Sequence, residues 1–330
     1  MQWIATHDGS FHADETVACA IISYLYENVK YIRSRDPNRL EQADIIIDVS
    51  GINDERHFDH HSKDFTLQRD NGVKYATAGL MWKKFGIAFL EKVAKKHLDT
   101  PVTKEIIDKA FLRIDEEFMQ LVDLNDNGQI NAFIDEHTAP QTPKEEEIKD
   151  FLCDFILNIP DIPYLVAMMN IPKSSSEEQD KHFKETVKIL NTFLVNIAIN
   201  AINIENGIAK VLEAYKGGEI LIIHEKLPWS QAVFAHPDLF AECLLAIYPD
   251  RSGRWRVQSL PVSKGQKFAN RLSAPKAWRG LNQEELDKAT GLENTCFIHK
   301  TGFTGGAMYF DDNLKLAQLW LKVAKQEQGL

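Results

Sequence analysis

The chain has 330 residues, a formal net charge of -10, 44% hydrophobic residues and 26% charged ones. That length makes two domains the natural expectation, and the composition excludes a disordered or fibrous chain. The acidic balance excludes nucleic-acid binding through bulk charge, so such a partner needs a local basic patch. No apolar run approaches the ~18–20 residues of a membrane span. Cys19, Cys153, Cys243 and Cys296 form no C-x-x-C pair and are expected as buried free thiols in a reducing compartment. The sequence opens on strand-like Q-W-I-A-T-H with no basic leader, so a cytoplasmic protein with no membrane partner is expected.

In chain order, residues 2–6 read as a strand ending at His7. From Asp14 to Glu27 the apolar positions Val17, Ala18, Ile21, Ile22 and Leu25 follow helical spacing. Residues 29–33 read as a second strand. The almost wholly apolar run 43–49 suits a strand covered on both faces of a parallel sheet, and a short fourth strand carries His57–Asp59. Strand, helix, strand, strand is the opening of a doubly wound fold. Helices are expected over 76–97 and 104–125. The second brings Asp123 and Asp126 onto one face beside the Asn127-Gly128 stop, against the helix dipole.

Pro140, Pro143, Pro160, Pro163 and Pro172 chop 137–175 into short pieces, with room for a helix over 144–157. A long helix runs from about Glu177, introduced by capping-box serines Ser174 and Ser175. Its seam of Phe183, Val187, Leu190, Leu194, Ile197, Ala201, Ile204, Ile208 and Val211 suits a domain bridge or a homodimer contact. A second α/β unit follows, with strands at 219–223, 243–248, 254–262 and 296–299 and a closing helix at 313–327. The expected organisation is two α/β domains, 1–133 and 215–330, joined by a helical connector, 134–214.

The chemistry gathers in three bursts: T-H-D-G-S-F-H-A-D-E at 6–15, D-I-I-I-D-V at 44–49 and R-H-F-D-H-H at 56–61. They place His7, His12, Asp14, Asp48, Asp59, His60 and His61 at strand ends, where open α/β sheets bind ligands. Imidazoles and carboxylates without thiols suit Mn²⁺ or Mg²⁺ and tolerate Zn²⁺ or Co²⁺. Asp48 ends a buried run and needs a partner, either a pair of bridged cations or the N-terminus of the next segment. Adjacent side chains on an extended segment point opposite ways, so one of His60 and His61 can bind metal while the other reaches a substrate oxygen. Asp59 would orient an imidazole from behind.

From Arg251 to Arg279 the chain carries Arg251, Arg254, Arg256, Lys264, Lys267, Arg271, Lys276 and Arg279 with no acid among them, interleaved with Trp255, Phe268 and Trp278. Cations along phosphates and rings under bases are what single-stranded nucleic acid needs. A solvated basic face over core aromatics is the other reading. Gly305-Gly306 would let backbone N–H groups approach a phosphate.

Asp59-His60-His61 with the upstream bursts resembles the DHH phosphoesterase superfamily, which includes RecJ-type exonucleases and family II pyrophosphatases. Longer phrases resemble the melanocyte-proliferating-gene family over about 1–133 and 215–330: F-D-H-H-S-K-D-F, Y-A-T-A-G-L-M-W, V-D-L-N-D-N-G, Y-P-D-R-S-G-R-W-R-V-Q, W-R-G-L and H-K-T-G-F-T-G-G. That family comprises metal-dependent hydrolases and, in its studied branch, 3′–5′ RNA exonucleases. The resemblance implies a parallel-sheet DHH-type catalytic domain and a smaller DHH-associated-like second domain. It implies two Mn²⁺ or Mg²⁺ ions, one on His7, His12 and Asp48, the other on Asp14, Asp48, His60 and either Asp123 or Asp126.

Asp126 is favoured for its place beside the turn, though spacing leaves the pair open. His61 would contact the scissile phosphate, with Asp48 and Asp59 as its catalytic neighbours. Substrate would meet Arg254, Arg256, Arg271, Lys276, Arg279, His299, Gly305 and Gly306. Two departures stand out. Segment 134–175 lacks the family's leucine-asparagine-proline-tryptophan stretch, and Ala307 replaces a histidine whose role His299 would take. The expectation is a two-metal phosphodiesterase on single-stranded RNA or short oligonucleotides. Its rivals are a phosphohydrolase of pyrophosphate or a dinucleotide and a metal-stabilised RNA-binding protein without turnover.

Overall fold

A computed structural model describes residues 2–157, 159–266 and 269–329. Lys267 and Phe268 lie outside the described residues. The chain divides into two units, Met1–Ile202 and Asn203–Leu330, with segment 134–214 divided between them.

In the first unit, β1 (Gln2–Thr6), α1 (Ala13–Leu25), β2 (Val29–Arg33), α2 (Pro37–Leu40), β3 (Ile45–Ile47) and β4 (His57–Phe58) follow in turn. The strands are all parallel, in the order β2-β1-β3-β4. β3 is three consecutive isoleucines, all buried, as a strand covered on both faces requires. α1 is buried from Ala13 through Ile22 and packs on α3 (Thr77–His97).

The helix expected over 104–125 is broken. α4 (Lys104–Ile114) passes into a π-type segment, Asp115–Met119, before α5 (Gln120–Asp126). The wider turn shifts the phase of the residues that follow, so an apolar period read straight through 104–125 misses the break. Segment 137–175 is more ordered than its prolines suggest. α6 (Ile130–His137), α7 (Pro143–Leu157) and α8 (Ile162–Met169) fill it. Pro143 and Pro163 fall in first turns, where a missing N–H leaves no helical bond unmade. α9 (Ser176–Ala214) is long and apolar enough to cross a membrane by length and composition, which the sequence reading did not register. Its Phe183, Val187, Leu190 and Leu194 are buried within the protein, the pattern of a core helix.

The second unit holds β5 (Ile220–Ile222), α10 (Trp229–Ala235), β6 (Leu245–Pro249), β7 (Trp255–Ser259), α11 (Gln283–Thr290), β8 (Thr295–Ile298), β9 (Thr304–Ala307) and α12 (Phe310–Gln328). Its sheet runs β5-β6-β7-β9-β8, with β5 and β6 parallel and the rest antiparallel. β9 corrects the reading of Gly305-Gly306 as a phosphate-binding turn: both glycines are buried in a strand between β7 and β8. A Cβ on Gly305 would lie 2.3 Å from Ile298 Cδ1, and one on Gly306 would lie 2.3 Å from the Trp255 carbonyl oxygen. The glycines answer to close packing. All four cysteines are free, but only Cys19 and Cys243 are buried; Cys153 and Cys296 are half-buried.

Candidate metal centre

The parallel sheet delivers its chemistry at the carboxyl ends of its strands. His7 follows β1, Asp48 follows β3, and Asp59, His60 and His61 follow β4. Asp48 takes the left-handed conformation, φ 56°, which Asp tolerates better than bulky residues do. Three groups form whose ligand atoms all lie within 4.8 Å of one another: His7, His12 and Glu15; Asp48, His60 and His61; Asp14, His60 and Asp126. His7 Nε2 stands 3.0 Å from Glu15 Oε1 and 3.7 Å from Asp48 Oδ2. His60 Nε2 stands 3.0 Å from Asp126 Oδ2, 3.6 Å from Asp48 Oδ1 and 4.0 Å from Asp14 Oδ2. Asp48 therefore turns one oxygen to His7 and the other to His60 and, at 3.2 Å, to His61 Nδ1.

The N-terminus of α3 organises the carboxylates. Ala76 precedes it without a side-chain cap, so its first N–H groups need acceptors from elsewhere. Asp14 supplies them, accepting from Thr77 N at 2.9 Å and Ala78 N at 2.6 Å. Gly79 N donates to Asp123 at 3.0 Å, and Thr77 Oγ1 donates to Asp48 at 3.3 Å. The T-A-G of Y-A-T-A-G-L-M-W thus sets the positive end of a helix dipole against three acids. Gly79 is small by necessity, since a Cβ there would lie 2.0 Å from Asp123 Oδ2.

Asp123 and Asp126 part company. Asp123 is fully buried and accepts from Arg69 Nη1 at 2.8 Å. The same guanidinium forks onto Asp115 in the π-type segment, with both bonds at 2.7 Å. Asp126, one turn on, is the aspartate beside His60. Neither Arg69 nor Asp115 was singled out by the sequence, because nothing local pairs residues so far apart.

Electrostatics divide the roles. Burial raises the Asp14 carboxyl well above its usual range, with Asp126 and Asp48 adding to it. Burial would likewise raise Asp59, but bonds from the His61 ring and from the Gly51 and His61 N–H groups hold it at about 2. Hydrogen bonds to Asp48 and then Asp59 raise His61 to about 10. Among the described residues, the buried atoms without a hydrogen-bond partner include two at the centre, His60 Nε2 and Glu15 Oε2. Four carboxylates and four imidazoles, with an orphaned ligand atom on each side, fit divalent cations. Glu15, absent from the expected ligands, sits in the first burst but looks like a helix-capping residue, and it does accept from His12 N at 2.8 Å. Asn127 Oδ1, 3.2 Å from His60 Nδ1, fixes that ring from behind.

A cavity of about 1340 Å³ opens on the centre, bounded by His7, His12, Asp48, His61 and Asp126 on one side. Asn170, at the end of α8, clamps the loop that carries His12. Its amide accepts from Phe11 N at 2.9 Å and donates to Phe11 O at 2.7 Å and Val166 O at 3.2 Å.

The basic stretch of the second unit sorts into structural and open cations. Arg271 donates to the carbonyls of Pro261 at 3.2 Å, Cys243 at 3.0 Å and Phe240. Arg279 Nε donates to Ala274 O at 2.8 Å, and Trp278 is buried in the core. These three belong to the fold. Arg254 is exposed and, with Arg256, Asn282 and Cys296, lines a cavity of about 370 Å³. Arg256 pairs with Asp250 at 2.9 Å and lies over Phe297. Lys276 is exposed, Trp255 is half-buried against His224 and Phe310, and His299 bonds Thr301 Oγ1 at 2.9 Å.

A parallel α/β sheet that gathers carboxylates and imidazoles without thiols at its carboxyl edge offers ligands suited to divalent metal ions. The MYG1_exonuc family model, described as an uncharacterised protein family (UPF0160), matches residues 3–321, and the chain belongs to that family. A MYG1 protein of Caenorhabditis elegans is 30% identical, covering 98% of this chain and 96% of its own. A MYG1 protein of Saccharomyces cerevisiae is 28% identical over 96% and 95%, and the human MYG1 exonuclease is 27% identical over 96% and 85%. RecJ from Thermus thermophilus, solved in complex with Mn²⁺, is 14% identical with a TM-score of 0.23; this chain spans 52% of its length. So slight a likeness carries no argument, and the fold reading rests on the strand topology.

Proposed function

We propose that the chain is a two-metal phosphodiesterase that removes nucleotides 3′ to 5′ from single-stranded RNA or short oligonucleotides. The observation that carries this is Asp48, with one oxygen facing His7 and the other facing His60 and His61, the disposition a bridge between two cations needs. His7, His12, Glu15 and Asp48 would hold one ion; Asp14, Asp48, His60 and Asp126 would hold the other. Bound Mn²⁺ or Mg²⁺ supplies Lewis acidity toward phosphoryl oxygens and acidifies water. His61, with a side chain 64% exposed, would face the phosphate, and Asp59 holds its ring in place. The exonuclease names of the mammalian relatives support the reaction class.

Arg254, Arg256 and Lys276 are the residues of the second unit through which a strand would be held, and a cytoplasmic setting accords with four free thiols. The size of the cavity, about 1340 Å³, favours a nucleotide over bare pyrophosphate. The test is to give purified protein and Mn²⁺ end-labelled RNA, DNA, dinucleotides and pyrophosphate side by side, with and without EDTA. RNA should shorten from its 3′ end and stop doing so with chelator. Hydrolysis of pyrophosphate alone would establish the small-molecule rival. RNA bound equally with and without EDTA, and never cut, would establish the binder.

A further inference from the structure

The cavity beside the centre has two unlike walls. One carries the histidines and carboxylates already described, together with Arg35; the other is built from α6, α8 and the approach to α8. That second wall presents Ile130, Phe133, Ile134, Ile162 and Tyr164. Phe133, half-buried with the His137 ring 4.1 Å from its own, and Tyr164, 50% exposed, both line the cavity. An apolar wall left wet is unfavourable unless a ligand covers it.

The wall is also fixed to the chemistry. Asn170 holds α8 to the backbone of Phe11, one residue from His12. Asp161 caps α8 by accepting from Tyr164 N at 2.9 Å, which settles the backbone beneath that ring. Asn125, which is exposed, lines the same cavity, and its amide makes no hydrogen bond to the described residues. An amide with a free donor and a free acceptor can read the edge of a heteroaromatic ring.

We infer that this wall is a nucleobase subsite. The terminal nucleotide sits in the first unit with its phosphate at the histidine–carboxylate wall, its base against Phe133 and Tyr164, and its base edge at Asn125. The inference rests on the phosphodiesterase reading and adds specificity-determining residues to it. A base is favoured over an alkyl chain because the wall combines aromatic rings with an unspent amide.

The test is calorimetric titration of Mn²⁺-loaded protein with AMP, ribose 5-phosphate, inorganic phosphate and hexyl phosphate. AMP should bind about five- to 150-fold more tightly than ribose 5-phosphate, the range of one aromatic–base stack. Phe133→Ala and Tyr164→Ala should remove most of that ratio and leave the ribose 5-phosphate affinity as it was. Phe133→Tyr keeps the ring and should restore the ratio, which separates stacking from a folding defect. Equal binding of AMP and ribose 5-phosphate, no measurable AMP binding, or tighter binding of hexyl phosphate overturns the subsite. RNA cleavage alongside equal binding removes the subsite and leaves the phosphodiesterase reading standing. A strong AMP preference in a protein that cuts no phosphodiester removes the phosphodiesterase reading and keeps the pocket.

Discussion

Arg69 offers the sharpest test of how the centre is held. Its guanidinium spans Asp115 and Asp123 and lies over Tyr75, 4.0 Å from the ring centroid. Arg69→Met keeps the apolar stem and removes the fork, leaving Asp123, whose carboxyl burial already raises to about 7, at 0% exposure with only backbone donors. Breaking a buried pair from one side costs roughly 3–5 kcal/mol. At ~2–4 °C per kcal/mol for a unit of this size, the melting temperature should fall by about 6–20 °C. Asp123→Asn keeps the acceptor for Gly79 N and should cost only ~1–3 kcal/mol. In the double variant Asp115 still loses its fork but no fully buried carboxylate is stranded, so its cost should fall short of the sum by ~1–3 kcal/mol.

The assay is thermal and urea denaturation of chelator-treated protein, so that lost metal contributes nothing. Arg69→Met costing under ~1 kcal/mol, or an additive cycle, would refute the argument that Arg69 carries Asp123. Asp123→Asn with unchanged stability but one metal equivalent missing would make Asp123 a ligand.

Other outcomes are expected. Asp48→Asn should abolish turnover and lower the content of both ions; wild-type rate at full stoichiometry would remove its bridging role. Chelation should lower the melting temperature, because free ion at a hundred times Kd stabilises by ~2.7 kcal/mol per site; identical melting curves with and without EDTA would count against the centre. Asn170→Ala should cost ~1–3 kcal/mol through the lost clamp on Phe11, and an unmoved urea midpoint would show the clamp to be idle. Arg254→Ala should reduce the log–log salt slope of RNA binding by about 0.7, whereas Arg271→Ala should instead lower stability; the reverse pattern would exchange their roles.

The first three strands and the ends that carry His7, Asp48 and His60 were legible because buried parallel strands are written as unbroken apolar runs. The break in the helix expected over 104–125, just ahead of Asp123 and Asp126, was not, because the π-type segment shifts the period where Asp115 meets Arg69, and that contact is 46 residues apart in sequence. Glu15 was hidden by its double use as a helix-capping acid. β9 was missed because Thr-Gly-Gly-Ala has little strand propensity, the small side chains answering to the Ile298 and Trp255 atoms packed against them. The basic stretch was visible as composition, but composition does not tell Arg254 in solvent from Arg271 under three carbonyls.

The backbone at Asp48, at φ 56°, bears on any attempt to engineer this chain. Strained positions of this kind cost ~1–3 kcal/mol, and glycine or asparagine relieves them. Asp48→Gly would also thin out the crowd of negative charge. A library selected for heat resistance alone should therefore drift at position 48 toward robust, inert variants. Selection for this protein has to score metal retention together with melting temperature, or it will discard the residue around which the centre is arranged.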